Sequence, residues 1–227
     1  GQRVGTAFVV TFLLFFSVTA YGAAVAQGVV EEKSGRVVEL LLATIPARQL
    51  LAGKVLGLGL VGLLQLLILG AVGAAVAVGT GALAVPALLL PTLVSALAWY
   101  LVGFFLFATL YAAAGALVSR QEELQSVTAP IAVVLLVPFL LAVAVLPVDP
   151  RNPVTTVLSF VPYLSQTLMP ARTALGVTDW WEPVLAYALA LLALAGMVVL
   201  SARVYRNSVL RTGARVRWRD ALRTGRP

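Results

Sequence analysis

The chain has 227 residues, of which 61% are hydrophobic and 11% charged, and its mean hydropathy is +1.00. Because a soluble domain carries about 25% charged residues, this composition excludes a soluble globular protein and predicts an all-α integral membrane protein. Cysteine and histidine are both absent and the net charge is +7. Disulfides, thiol nucleophiles, Cys/His zinc sites and imidazole acid–base catalysis are therefore excluded for these residues.

Five apolar segments are long enough to cross a membrane, which takes about 20 residues per helix. The charge-free run 55–119 divides into two of them, because Gly79, Thr80 and Gly81 predict a turn. The predicted spans are residues 6–30, 55–78, 92–118, 127–146 and 183–202. The expected fold is a polytopic transmembrane helix bundle that forms one domain, residues 1–227.

A charged segment, residues 29–54, joins the first two spans. A charge at the bilayer centre costs about 2.5–3.5 kcal/mol, so residues 31–54 are predicted to lie outside the hydrocarbon. Val37, Val38 and the three leucines 40–42 form an apolar core there, which a solvated loop would not need. Ser34 is predicted to cap a short helix reaching about Thr44. Two interpretations remain open: a lever that contacts a cytoplasmic motor, or an interfacial amphipathic helix that only covers the bundle.

The distribution of basic residues predicts the orientation. With the charged segment in the cytoplasm, thirteen of the sixteen Lys and Arg residues lie inside, eight of them in the tail 203–227, and only Arg3, Arg151 and Arg172 lie outside. The tail is interpreted as a topology anchor near anionic lipid, with an acidic partner or RNA as the alternative. An external first residue without a leader predicts that at least one further span precedes it, unless proteolysis made this end.

The external link, residues 147–182, predicts a re-entrant arrangement. Its apolar stretches, 154–163 and 164–175, are interrupted by Pro162 and Pro170, and neither is long enough to span. Short helices that dip into the outer interface or into the protein fit this pattern.

The predicted spans contain no charged residue, which argues against an ion-driven relay, although sodium sites can use backbone carbonyls. A phosphate-binding loop also fails at Gly53-Lys54, because Arg48 stands where the first glycine belongs and Val55 follows the lysine. Energy for transport would therefore come from another subunit through a cytoplasmic contact.

Three stretches together resemble the ABC-2 type permeases, the membrane subunits of ATP-binding-cassette exporters, and most closely their sodium-efflux and multidrug-type branch. The first stretch is Val29 to Arg36, continuing through Glu39–Leu42 and Leu51–Lys54. The second is Ser159–Pro162, with Ser165 and Met169–Arg172. The third is Val204–Arg206, with Leu210–Gly213 and Ala221–Arg223. Family members commonly have six spans, so the resemblance also implies a missing first span and external region.

The resemblance implies a permease subunit in a bacterial cell membrane with a cytoplasmic C-terminus. It implies that this chain catalyses no reaction and binds no nucleic acid. The implied partners are two copies of an ATPase subunit, which bind ATP and Mg, and a second permease copy or a homologous permease. The implied ATPase-coupling residues are Glu31, Glu32, Lys33, Arg36, Glu39, Leu40, Leu41, Pro46, Arg48 and Lys54. The implied external gate residues are Pro162, Ser165, Met169, Pro170 and Arg172.

Purely structural interpretations of these residues stay open beside the functional ones. Glu31, Glu32 and Lys33 would otherwise be helix-end charges, and Arg172 an outer-interface anchor. Phe104 and its neighbouring rings would belong to the core rather than to a substrate path. The alternative function is a non-transporting scaffold that docks a cytoplasmic partner. A membrane-embedded enzyme fits poorly, since its spans would lack His, Cys and carboxylates.

Overall fold

The computed structural model describes residues 2–34, 47–80 and 89–208, and side chains for all but a few residues beside the gaps and at the two ends. These residues form five long helices and two short ones, with no strand among them. In chain order they are α1 (Gln2–Ser34), α2 (Ala47–Gly79), α3 (Leu89–Leu117), α4 (Gln121–Ala144), α5 (Pro153–Leu158), α6 (Pro162–Leu175) and α7 (Trp181–Ser208).

The five long helices are each long and apolar enough to cross a membrane, and the predicted fold class, a polytopic helical bundle, is confirmed. The helices extend beyond the predicted apolar segments. α1 continues through Glu31 to Ser34, and α4 begins at Gln121 rather than residue 127. Helical backbone thus carries several of the charged residues that were assigned to connecting segments.

α1 and α3 form the centre of the bundle. Their backbones approach closely at Gly115, where an added Cβ would lie 2.7 Å from the carbonyl oxygen of Ala26. Val25, Ala26 and Ala114 are fully buried at this crossing. Small residues permit such an approach, which in a membrane supplies packing contacts that lipid cannot match.

α2 packs on this centre through glycines. An added Cβ at Gly59 would meet the ring of Phe104, and one at Gly62 would overlap the hydroxyl of Tyr100. Gly53 and Gly57 face open space instead. Because Phe104 and Tyr100 are fully buried within the bundle, these rings belong to its core.

The connections define two ends of the bundle. We call the end where α1 finishes and α2 begins the charged end, and the end that carries α5 and α6 the opposite end. Asn152 caps α5 by accepting hydrogen bonds from the backbone N–H groups of Val154 and Thr155. α6 begins at Pro162, a favoured first helical residue, and ends at Leu175, where Gly176 caps the helix with a φ of 73° that suits glycine.

Candidate functional sites at the two ends of the bundle

An ion pair joins α1 to α2 at the charged end. Lys54 on α2 contacts the carboxylate of Glu32 on α1. The lysine chain crosses α1 over Gly28, where an added Cβ would meet the Lys54 side chain. The absence of a side chain at Gly28 therefore leaves room for the lysine to reach Glu32.

A second contact joins α1 to α4 at the same end. The side-chain amide of Gln121 donates to Glu31 Oε1 over 3.1 Å. We call Glu31, Glu32, Lys54 and Gln121 the charged-end clasp. Through it the last turn of α1 holds the first turn of α4 and the second turn of α2.

The other predicted coupling residues cannot be placed in this clasp. Lys33 lies in α1 and Arg48 in α2, but the structure describes the side chain of neither. Arg36, Glu39, Leu40, Leu41 and Pro46 lie outside the described residues, as does the short helix predicted after Ser34. Most of the basic tail 203–227 lies outside them too, although α7 continues to Ser208.

A buried polar network occupies the opposite end. Arg172 Nη1 on α6 donates to Glu182 Oε2 on α7 and to Ser159 Oγ in the α5–α6 turn, each over 2.7 Å. The backbone N–H of Asp179 donates to the other Glu182 oxygen over 3.2 Å. Arg172 is only 2% exposed. A charge so deeply buried needs both its counter-ion and its hydrogen bonds, so this network fixes α6 against α7.

The remaining predicted gate residues lie on α6 around this network. Met169 is fully buried, Ser165 and Pro170 are buried, and Pro162 starts the helix. Arg172 is the one charged side chain in the sequence of α6. Arg3 of α1 donates to the carbonyl oxygen of Leu175 over 3.4 Å. This contact anchors the C-terminal end of α6, where a cation is favourable.

The sequence analysis left Gln121 and Glu182 out of these sites, and it named Ser159 only within a stretch that carries the family resemblance. A signal existed for Glu182, because a buried arginine implies a nearby carboxylate and the 147–182 link offers Asp149, Asp179 and Glu182. Gln121 has no comparable signal in the sequence. Within the described part of the chain, no three Asp, Glu, His or Cys side chains come together as metal ligands.

Comparison with known proteins supplies the context for these two sites. The family model described as ABC-2 family transporter protein matches residues 3–203. The uncharacterized protein YhaP of Bacillus subtilis is 33% identical over 92% of this chain, and the uncharacterized protein MJ1024 of Methanocaldococcus jannaschii is 26% identical over 88%. These alignments cover 52% and 48% of the relatives, so the chain spans about half their length. No solved structure matches.

Proposed function

The chain belongs to the ABC-2 transporter family, a family of multi-pass membrane transport proteins, and we propose that it is the permease subunit of a bacterial ABC exporter. In this proposal a separate ATPase binds ATP and Mg and does the hydrolysis, and this chain contributes the translocation path. Two ATPase copies dock on the cytoplasmic side, and a second permease copy or a homologous permease completes the path. The C-terminus lies in the cytoplasm of the cell.

The charged-end clasp is the observation that supports coupling through the charged segment. Residues 35–46 connect α1, whose last turn carries Glu31 and Glu32, with α2, whose second turn carries Lys54. A force on this segment would reach α1 and α2 together through the Lys54–Glu32 pair, and α4 through Gln121. Docking of the ATPase there would therefore move three helices as a unit.

The buried network supports a gate at the opposite end, which this proposal places outside the cell. Arg172 holds α6 to α7, while Arg3 holds α6 to the first turn of α1. Movement of α1 at the charged end would thus be transmitted along one continuous helix to the re-entrant α6. Alternating access follows from that connection, with residues 159–172 forming the external gate.

Co-purification and ATP turnover test the proposal. The full-length protein is isolated by affinity from native membranes and reconstituted in nanodiscs. We expect an ABC ATPase to co-purify and its turnover to depend on this chain. Glu32→Gln should lower that turnover, because the amide no longer attracts Lys54 strongly and α2 moves less tightly with α1.

Glu122→Gln is the matched control, since Glu122 is exposed at the same end and lies on α4. It makes the same chemical change outside the clasp and should leave turnover unchanged. Equal turnover in both variants and the wild type would remove the coupling role of the clasp. Failure of any ATPase to co-purify would instead favour a scaffold subunit that docks another cytoplasmic partner.

A further inference from the structure

The seam between α3 and α6 runs from the opposite end of the bundle to the middle of α3. Tyr163 packs edge-on against Phe107, with ring centroids 5.3 Å apart. Gln166 contacts Gly103, and Pro170 with Thr173 lies beside residues 91–96. Residue numbers thus rise along α6 as they fall along α3, so the two helices are antiparallel. Gly103 is the midpoint of α3, which places Gln166 deep in the bundle.

Gln166 carries a polar group without a partner at that depth. Its side chain is 3% exposed, and neither its amide nitrogen nor its amide oxygen has a hydrogen-bond partner among the described residues. More than nine in ten buried polar groups are paired in native structures. The unpaired amide can therefore form hydrogen bonds with a group that the described residues do not supply.

Gly103 makes room for this amide. A Cβ at position 103 would overlap Gln166 Oε1 and press on its Cβ. Glycine is less favourable than alanine within a helix. Its presence at the midpoint of α3 is explained by packing, because a residue without a side chain leaves space for the Gln166 amide. The backbone of α3 here leaves space for a side chain that has no hydrogen-bond partner among the described residues.

A cavity lies on the same seam, one to two helical turns towards the opposite end. It measures about 120 Å³ and is lined by residues of α1, α3 and α6. Since one water needs about 10–15 Å³ of such space, the cavity has room for a small polar group. All its lining residues are uncharged, and three carry hydroxyl groups: Thr92, Ser95 and Thr173. Arg172, the charge on α6, is already paired with Glu182.

We propose that the α3–α6 seam is a binding site for an uncharged molecule that carries a hydroxyl or amide group, and that Gln166 forms its hydrogen bond. The cavity, which Gln166 itself does not line, receives one part of the molecule from the opposite end. Gln166 binds the polar group one to two helical turns deeper along the seam. The absence of an unpaired charge along the lining selects against ions. As the binding site of the transported molecule, the seam defines the chemical class of the substrate. That assignment rests on the proposed function.

Photolabelling of the full-length protein in nanodiscs tests the site. The probe is a short-chain photoactivatable alcohol, compared with an ammonium and a carboxylate of equal chain length. We expect the alcohol to label peptides containing residues 91–96 and 166–174, a short-chain amide to compete, and the two charged probes to label them weakly. Gln166→Met keeps the side-chain volume and removes one hydrogen bond, so labelling should fall about three- to tenfold.

Two glycine variants provide the matched comparison. Gly103→Ala should also lower labelling, because the added methyl displaces the Gln166 amide. Gly196→Ala adds the same methyl on α7, where nothing lies within 4 Å, and should not change it. Gln166→Met should unfold at no lower temperature than the wild type, since it removes a buried unpaired amide.

Equal labelling of Gln166→Met and the wild type would overturn the site, and so would equal labelling by the charged probes or no labelling of the seam. The result also separates the two proposals. An unlabelled seam in a protein that still supports ATPase turnover overturns the site and leaves the exporter function standing. A labelled, Gln166-dependent seam without any ATPase partner supports the site and contradicts the exporter function.

Discussion

The two ends of the bundle are each held by an ion pair, but the two pairs lie in different surroundings. At the charged end the side chains of Lys54 and Glu32 are 21% and 19% exposed. At the opposite end those of Arg172 and Glu182 are 2% and 10% exposed. The buried pair has additional partners in Ser159 and the backbone of Asp179. The partly exposed pair lies over Gly28, and the second carboxylate oxygen of Glu32 is buried without a hydrogen-bond partner among the described residues.

This difference in burial decides how much each contact contributes to stability. A partly exposed pair contributes about 0–1 kcal/mol, so the clasp links α1 to α2 without adding much to the stability of the bundle. Removal of one partner from a buried pair leaves an uncompensated charge. The Arg172 network therefore fixes α6 to α7, and those two elements are expected to move together.

The largest expected effect is that of Glu182→Gln. The substitution leaves Arg172 buried without a counter-ion, which should lower the free energy of unfolding by about 3–5 kcal/mol. Thermal unfolding in detergent measures the loss. Glu122→Gln, the same change at an exposed position, should stay within about 0.5 kcal/mol of the wild type.

Replacement of both charges sharpens this test. The double variant Arg172→Met/Glu182→Leu removes the buried charge together with its partner, so it should recover much of the stability lost by Glu182→Gln. A double variant as unstable as the single one would contradict the role of charge burial, and packing alone would then explain both losses.

A smaller loss is expected for Ser159→Ala. Ser159 Oγ accepts one hydrogen bond from the Arg172 guanidinium, and a hydrogen bond to a charged group contributes about 1.5–3 kcal/mol. Glu182 remains to neutralise the charge, so the loss should be below that of Glu182→Gln in the same unfolding measurement. Ser126→Ala at an exposed position of α4 is the control, and equal losses in the two serine variants would contradict the network.

The fold was predictable because hydropathy alone marks a spanning helix. The helix ends were less predictable, for a physical reason. Hydropathy falls at the first charge, but Glu31 and Glu32 are good helix formers, so α1 continues through them to Ser34. The sequence therefore showed where the apolar stretch ends and not where the helix ends.

The sites were predictable only in part, because their contacts join residues distant in sequence. Arg172 stood out as a charge in an apolar link, yet three acidic residues of that link were possible partners, and spacing alone could not choose Glu182. Gln166 meets Gly103 and Gln121 meets Glu31 across long sequence separations. Such contacts depend on the crossing of whole helices, which one sequence does not specify.

Gly28→Ala should disrupt the exposed pair with little net change in stability. The added Cβ meets the Lys54 side chain and displaces it from Glu32. Loss of the ion pair should lower the free energy of unfolding by about 0–1 kcal/mol. Alanine offsets this loss, because it favours a helix over glycine by about 0.8–1 kcal/mol. Gly57→Ala on α2 is the control, since nothing lies within 4 Å of its Cβ and it should show the gain alone. Equal unfolding temperatures for the two variants would indicate that Lys54 is not held over Gly28.

The smallest expected effect, the response of the two pairs to salt, compares them most directly. Between about 0.01 M and 1 M ionic strength the Debye length falls from about 30 Å to 3 Å. The stability difference between the wild type and Lys54→Gln should therefore shrink towards zero, since ions reach an exposed pair. The difference between the wild type and Glu182→Gln should persist, because ions do not reach a guanidinium that is 2% exposed. Unfolding curves at both ionic strengths measure the two differences. A salt-sensitive Glu182 effect would mean that water enters the α6–α7 contact, and α6 would then be free to move away from α7 rather than with it.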